Sequence, residues 1–212
     1  MKNKTLSFFD KLKTKFSDDE KALSSIDYLK SQIEKWEDEE VTAPAAAGEL
    51  PLPKEIKSDK AYALFSDGAC RGNPGPGSWG MVGQDHQGEV LFKGSGVETT
   101  TTNNRMEMTG ALEAMKYLLN EGVDPEVVEV YLYSDSKYVV DGLKSWVKGW
   151  KSRGWKKADK KTPENVDLWQ ELDKVSSSFK NINYLWVKGH AGHPQNELCD
   201  QLANEALDDS GF

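Results

Sequence analysis

The chain has 212 residues, of which 37% are hydrophobic and 29% charged, and its formal net charge is −8. That length can bury one or two cores without a staple, and two cysteines far apart in sequence, Cys70 and Cys199, are no disulfide framework and read as reduced thiols. No apolar run approaches the roughly 18 residues of a membrane span, and Leu6 to Phe9 is too short and too polar for an export signal, so a cytoplasmic protein with no membrane attachment is expected.

Residues 1–58 differ from the rest. Phe9, Leu12 and Phe16 have the spacing of a short amphipathic helix, and Ser17-Asp18-Asp19-Glu20 reads as a capping box opening a second helix from about Asp18 to Glu39. Its apolar set Ala22, Ile26, Leu29, Ile33, Trp36 forms a seam only two heptads long, too short for a coiled coil. Residues 41–58 carry three prolines and an alanine run, a linker composition. The expected division is therefore a helical extension over 1–40, a linker over 41–58 and one folded domain over 59–212. The extension's apolar residues, more than a lone hairpin could bury, call for a second copy, another protein or, weakly, the chain's own folded domain.

From Lys60 the pattern is α/β. Ala61 to Ser66 reads as a strand, followed by the Gly/Pro loop GACRGNPGPGSW. Trp79 to Gln84 and Glu89 to Gly94 read as two more strands. Met108, Ala111, Leu112, Met115, Leu118 and Leu119 mark one face of a helix stopped by Gly122 and Pro125. Val127 to Tyr133 is a fourth strand, and helices follow at about 136–150 and 164–178. Ile182 to Val187 is a fifth strand, and a last helix runs from Pro194 to Leu207. Three strands in succession and then alternation with helices indicate a mixed sheet covered by helices.

Charge is unevenly spread. Residues 144–161, KSWVKGWKSRGWKKADKK, hold eight basic residues against one acid, a local +7 in an acidic chain. A polyanion contact would have to use this segment. Acids stand at strand ends and in helices: Asp67 in FSDG, Asp135 in YSDS, Glu107 in NNRME and Asp200 in ELCDQL. In α/β sheets ligand sites form at the carboxyl ends of strands, so Asp67 and Asp135 meet if their strands are parallel neighbours. Each acid alone has an ordinary structural reading; Asp135, for instance, could simply cap the helix after it.

The stretches SDGACRGNPGPGSWG, TTTNNRMEM, YSDSKYVVDG, WVKGWKSRGWKKADKK, NVDLWQEL and WVKGHAGHPQNELCDQLA occur in the order found in type 1 ribonucleases H, and the chain from about 60 to 207 resembles that family. The resemblance implies a ribonuclease H-like five-stranded mixed sheet flanked by helices. It also implies endonucleolytic cleavage of the RNA strand of RNA–DNA hybrids to 5′-phosphate and 3′-hydroxyl ends, in removing replication primers and R-loops. It makes Asp67, Glu107, Asp135 and Asp200 the ligands of two Mg²⁺ ions, with Mn²⁺ as a substitute. Asp67 would lie between the ions, Asp200 on the nucleophile side, and Glu107 and Asp135 on the leaving-group side. Two ions about 3.5–4 Å apart can generate the nucleophile and relieve charge on the leaving oxygen.

His190, in KGHAGHPQNE, matches the family's loop histidine, implied in proton movement or product release; an imidazole titrating near neutrality suits that. His193 reads as a polar loop residue. Asn73, Asn103 and Asn104, with the Gly72 to Gly77 loop, match the groups that meet RNA 2′-hydroxyls. The +7 segment matches a basic protrusion that grips the DNA strand, with Trp150 and Trp155 against sugars and Lys151, Arg153, Lys156 and Lys157 near phosphates. Trp146 is expected to pack inward and Trp169 to anchor the core. A catalytically silent hybrid binder on the same fold would have lost one of the four acids, and none is lost. A transposase- or integrase-like strand-transfer enzyme is disfavoured by the GNPG loop, the asparagine pair and the basic Trp-rich segment.

Overall fold

The computed structural model describes Phe9, Lys13, Lys15, Phe16, residues 20–35 and residues 50–212. The chain divides into two compact units, Met1–Glu49 and Leu50–Phe212. In the first, helix α1 spans Glu20–Lys35 and Ile26 is buried. Ser17 of the expected capping box, Leu12 and Trp36 lie outside the described residues, as do the side chains of Leu29 and Ile33.

In the second unit, β1 (Ala61–Cys70), β2 (Gly75–Gln84) and β3 (Val90–Thr101) form an antiparallel meander. Helix α2 (Asn103–Asn120) crosses to β4 (Glu129–Ser134), which lies parallel to β1. Then come α3 (Lys137–Asp141), a π-helical turn (Gly142–Trp146), α4 (Val147–Ser152) and α5 (Val166–Ser176). Strand β5 (Asn181–Trp186) pairs parallel to β4, and α6 (Pro194–Asp209) ends the fold. The sheet order is β3-β2-β1-β4-β5, the expected five-stranded mixed sheet. β1 and β3 run further than the sequence pattern indicated because each is held by β2 beyond its apolar stretch: Cys70 pairs with Gly77, and Thr101 with Gly75.

Both sheet faces are covered, so the central strands are apolar on alternate sides. Leu64, Val130 and Leu132 pack with Met108, Leu112 and Met115 of α2 and with Trp169 and Leu172 of α5. Phe65, Val82 and Tyr133 pack with Cys199 of α6 on the opposite face. Trp169 is fully buried, the core anchor the sequence suggested. Its ring lies where a Cβ on Gly142 would have to be, and its Nε1 donates to Tyr138 Oη at 3.2 Å. The π turn thus sits where the helix backbone approaches a large aromatic ring; such turns recur at functional sites.

The expected linker ends early. Residues 50–58 belong to the second unit: Ile56 is 7% exposed and packs with Phe65 and Tyr133, and Tyr133 Oη donates to Glu55 at 3.1 Å. Proline-rich composition suggested a free spacer, but Leu50 and Ile56 offer apolar surface that the sheet can bury.

Candidate active site

Strands β1 and β4 are parallel neighbours, with Ser66 opposite Ser134 at the end of their pairing. Asp67 and Asp135 follow those two residues directly, so one parallel register delivers both carboxylates to the same place. The helix cap after β4 is Ser136, whose hydroxyl accepts from Val139 N at 3.4 Å. Asp135 is therefore free of capping duty. Likewise Thr102 caps α2 by accepting from Arg105 N, which leaves Asn103 and Asn104 for other contacts.

Glu107 reaches the same point from the first turns of α2. The approach depends on Gly68: a Cβ there would collide with the backbone N of Glu107. Glycine after Asp67 thus lets α2 lie against β1. Oxygens of Asp67, Glu107 and Asp135 lie within 4.8 Å of one another, with Asp67 and Glu107 each 6% exposed. Asp200 stands outside this trio on α6, where Asn204 Nδ2 donates to its Oδ1 at 2.9 Å, yet its charge is felt at both Asp67 and Glu107.

Such crowding is unfavourable without counter-charge. Burial, and then the neighbouring Asp135, raises the Asp67 carboxyl to about 7. Burial, followed by Asp67 and Asp135, holds Glu107 well above the ordinary carboxylate range. Glu107 Oε2 is buried with no hydrogen-bond partner. Hard oxygen donors, mutual repulsion and an orphaned carboxylate oxygen fit a divalent cation that prefers oxygen ligands.

The sequence reading missed Asn196. It is 3% exposed at the start of α6, and its Nδ2 donates to Asp67 Oδ2 at 3.2 Å and to Asp135 Oδ2 at 3.3 Å. Asn196 and Asp200 are four residues apart and share a helix face. That spacing was visible in NELCD and was the signal available. Arg105 was also missed; it makes two hydrogen bonds to Asp167, at 3.2 and 3.0 Å, and ties α2 to α5.

His190 is exposed in the loop after β5, with a left-handed φ of 49°. The preceding Gly189 abuts Asp135 so closely that a Cβ would strike its carboxylate, which keeps the His190 loop beside the acids. His193 is half-buried against Phe65 and Tyr133, and burial lowers its pKa.

Asn73 Oδ1 accepts from Asn103 N at 3.3 Å, and Asn103 Nδ2 donates to Glu107 Oε1 at 3.3 Å. The glycine loop, the start of α2 and a carboxylate are thereby linked. Asn104 is exposed beside them. In the basic segment all three tryptophans pack on the body of the domain. Trp150 and Trp155 are half-buried and pack on the core, and Trp150 meets Trp169 edge-on at 5.7 Å. Trp146, expected to pack inward, meets Tyr138 at 5.8 Å and Trp169 edge-on at 6.5 Å while staying 37% exposed. Trp146, Trp150, Arg153 and Lys157 line a surface cavity of about 500 Å³. Lys151 pairs with Asp173 at 2.7 Å, and Lys156 donates to Thr162 at 2.7 Å.

Comparison with known proteins agrees with this geometry. The family model for RNase H matches residues 59–208. The chain is 48% identical over 149 residues to Ribonuclease H of Rhizobium meliloti, covering 70% of this chain and 92% of that protein. It is 49% identical over 150 residues to Ribonuclease HI of Caulobacter vibrioides, covering 68% and 91%. Among solved structures, LC9-RNase H1, a type 1 RNase H with the type 2 active-site motif, superposes with a TM-score of 0.62 at 33% identity, over 72% of this chain and 74% of that one. LC11-RNase H1 in complex with an RNA/DNA hybrid gives 0.57 at 26% identity, over 71% and 99%. With its sheet order, its converging acids and these likenesses, the chain belongs to the ribonuclease H family.

Proposed function

We propose that the protein is an endoribonuclease that hydrolyses the RNA strand of RNA–DNA hybrids, leaving 5′-phosphate and 3′-hydroxyl ends, and so clears RNA from primers and R-loops in the cytoplasm. The observation that carries this reading is the convergence of Asp67, Glu107 and Asp135 in a chain of this family. With Asp200 they would hold two Mg²⁺ ions, or Mn²⁺ in their place. Ions bound there supply an activated water and offset charge on the leaving 3′-oxygen.

The rest falls to the chain's own groups. Asn73, Asn103 and Asn104 offer neutral amides to 2′-hydroxyls, and the Asn103–Glu107 bond ties that contact to a metal ligand. The exposed His190 imidazole takes up or delivers a proton as product leaves. Trp146, Arg153, Lys156 and Lys157 meet the DNA backbone, with Trp150 and Trp155 forming the floor beneath them and Lys151 at the edge. Residues 1–49 serve protein contact, with another protein or a second copy.

One gel tests the activity. Labelled hybrid, duplex RNA and duplex DNA are incubated with Mg²⁺ and, separately, with EDTA. Cleavage confined to the RNA strand of the hybrid and abolished by EDTA is expected. DNA cutting or strand transfer would overturn the reading. Light scattering of full-length protein against a chain beginning at Leu50 tests the extension; equal monomer mass and no captured partner would remove that role.

A further inference from the structure

Residues 50–58 lie ahead of the matched family region, yet they bond into the helix that carries Asn196 and Asp200. We propose that this segment is a positioning strap for the active site, acting through a buried amide pair, Gln84 and Gln195. Gln195 is 1% exposed, and its Nε2 donates to Pro51 O at 2.6 Å and to Gln84 Oε1 at 2.8 Å. Gln84 is fully buried, and its Nε2 donates to Gly88 O at 2.9 Å and to Leu50 O at 3.3 Å. Both amide groups thus use both donor hydrogens, and two of the four bonds end on strap carbonyls. Ile56 and the Glu55–Tyr133 bond fasten the other end of the strap.

Gln195 adjoins Asn196, the side chain that bridges Asp67 and Asp135. A buried side chain that has placed its donors cannot shift without losing them, so the strap fixes the first turn of α6. Fixing that turn fixes Asn196 and, one turn further on, Asp200. The side-chain amides of Gln195 and Gln84 bond to backbone carbonyls and to each other, not to the acids. They are positioning residues, and outer partners of this kind alter metal affinity by about 10–100-fold.

This inference rests on reading the acids as the metal site, and the test separates the two. In full-length protein, Gln195→Ala and Gln84→Ala are compared with Val128→Ala, a core truncation just before β4. Mg²⁺ binding is measured by calorimetry without substrate, and kcat and KM on hybrid beside it. Both glutamine variants should bind Mg²⁺ roughly tenfold more weakly and lose kcat in proportion, with KM within about twofold. Val128→Ala should lose stability and keep its Mg²⁺ affinity. Gln195→Met, which keeps volume, stands in if the alanine variant does not fold. Glutamine variants that melt lower but bind Mg²⁺ and turn over like the parent would overturn the strap. A parent that neither binds Mg²⁺ nor cleaves hybrid would overturn the metal site, and the strap's role with it.

Discussion

Asn196 Nδ2 sits between Asp67 Oδ2 and Asp135 Oδ2, at 3.2 and 3.3 Å. One neutral amide therefore partly compensates two carboxylates that would otherwise repel each other across the site. It does not neutralise them, and Glu107 adds a third acid with an unpartnered oxygen. Without a bound cation the three acids would put the site under electrostatic load.

Relieving that load should stabilise the apo protein and destroy activity. Asp67→Asn and Asp135→Asn each keep side-chain size and remove charge. Turnover should fall by at least about 10²–10³-fold, the scale of losing one electrostatic group at a reacting centre. Melting in EDTA should occur at the parent's temperature or higher. Parent-like turnover in either variant would remove the assigned acid from the site.

The load should also vary with pH. The Asp67 carboxyl is raised from 3.8 to about 7 in the folded protein, mainly by burial. Between those values the native state holds a proton that the unfolded chain has released, so stability falls as pH rises. At about 1.4 kcal/mol per unit, Asp67 removes up to about 4 kcal/mol by pH 8. Glu107 is raised as well and acts in the same direction. Urea midpoints in EDTA at pH 5 and pH 8, compared between parent and Asp67→Asn, isolate the effect from groups such as His193. The parent should lose more stability than the variant over this range. An equal pH dependence in the two would contradict the raised carboxyl.

His190 is exposed and touches the acids only through Gly189 and its loop. His190→Ala should lower kcat by about 10–10²-fold, within the usual reach of a proton-transfer group. KM for hybrid should barely move, and the loss should be smaller than for Asp67→Asn. Normal turnover with weakened binding would assign the imidazole to substrate contact instead.

The basic segment should divide into two kinds of residue. Trp146→Ala, Lys156→Ala and Lys157→Ala should weaken hybrid binding, each lysine flattening the salt dependence by about 0.9 in log–log slope. Trp150→Ala should instead cost stability, about 2–3 kcal/mol, because its ring packs on Trp169. Lys151→Ala breaks a pair with Asp173 and should change the salt slope less than Lys157→Ala. Binding isotherms at several salt concentrations, with melting curves beside them, check all of this. A Trp146→Ala variant with unchanged affinity would place the DNA contact elsewhere.

The sequence by itself determined the sheet and the helices after it, and it named four candidate acids. Alternation in Val127–Tyr133 and the apolar face from Met108 to Leu119 are local signals, and the motif stretches marked Asp67, Glu107, Asp135 and Asp200 by type and order. Tertiary structure decided what depends on partners distant in the chain. The parallel register of β1 with β4 brings Asp67 to Asp135, and the close approach at Gly68 brings in Glu107. The four-residue spacing of Asn196 and Asp200 was legible in the sequence, but the bonds from Asn196 to Asp67 and Asp135 appeared only when α6 was laid against the acids. How far Trp146 and Trp150 are covered was likewise decided by Trp169, which meets both rings from a distant part of the chain. Proline content made residues 50–58 read as a spacer, and the burial of Ile56 and the Gln84–Gln195 amides made them part of the fold. Composition and period report what a segment can do alone, whereas burial and hydrogen bonding depend on what the rest of the chain brings to it.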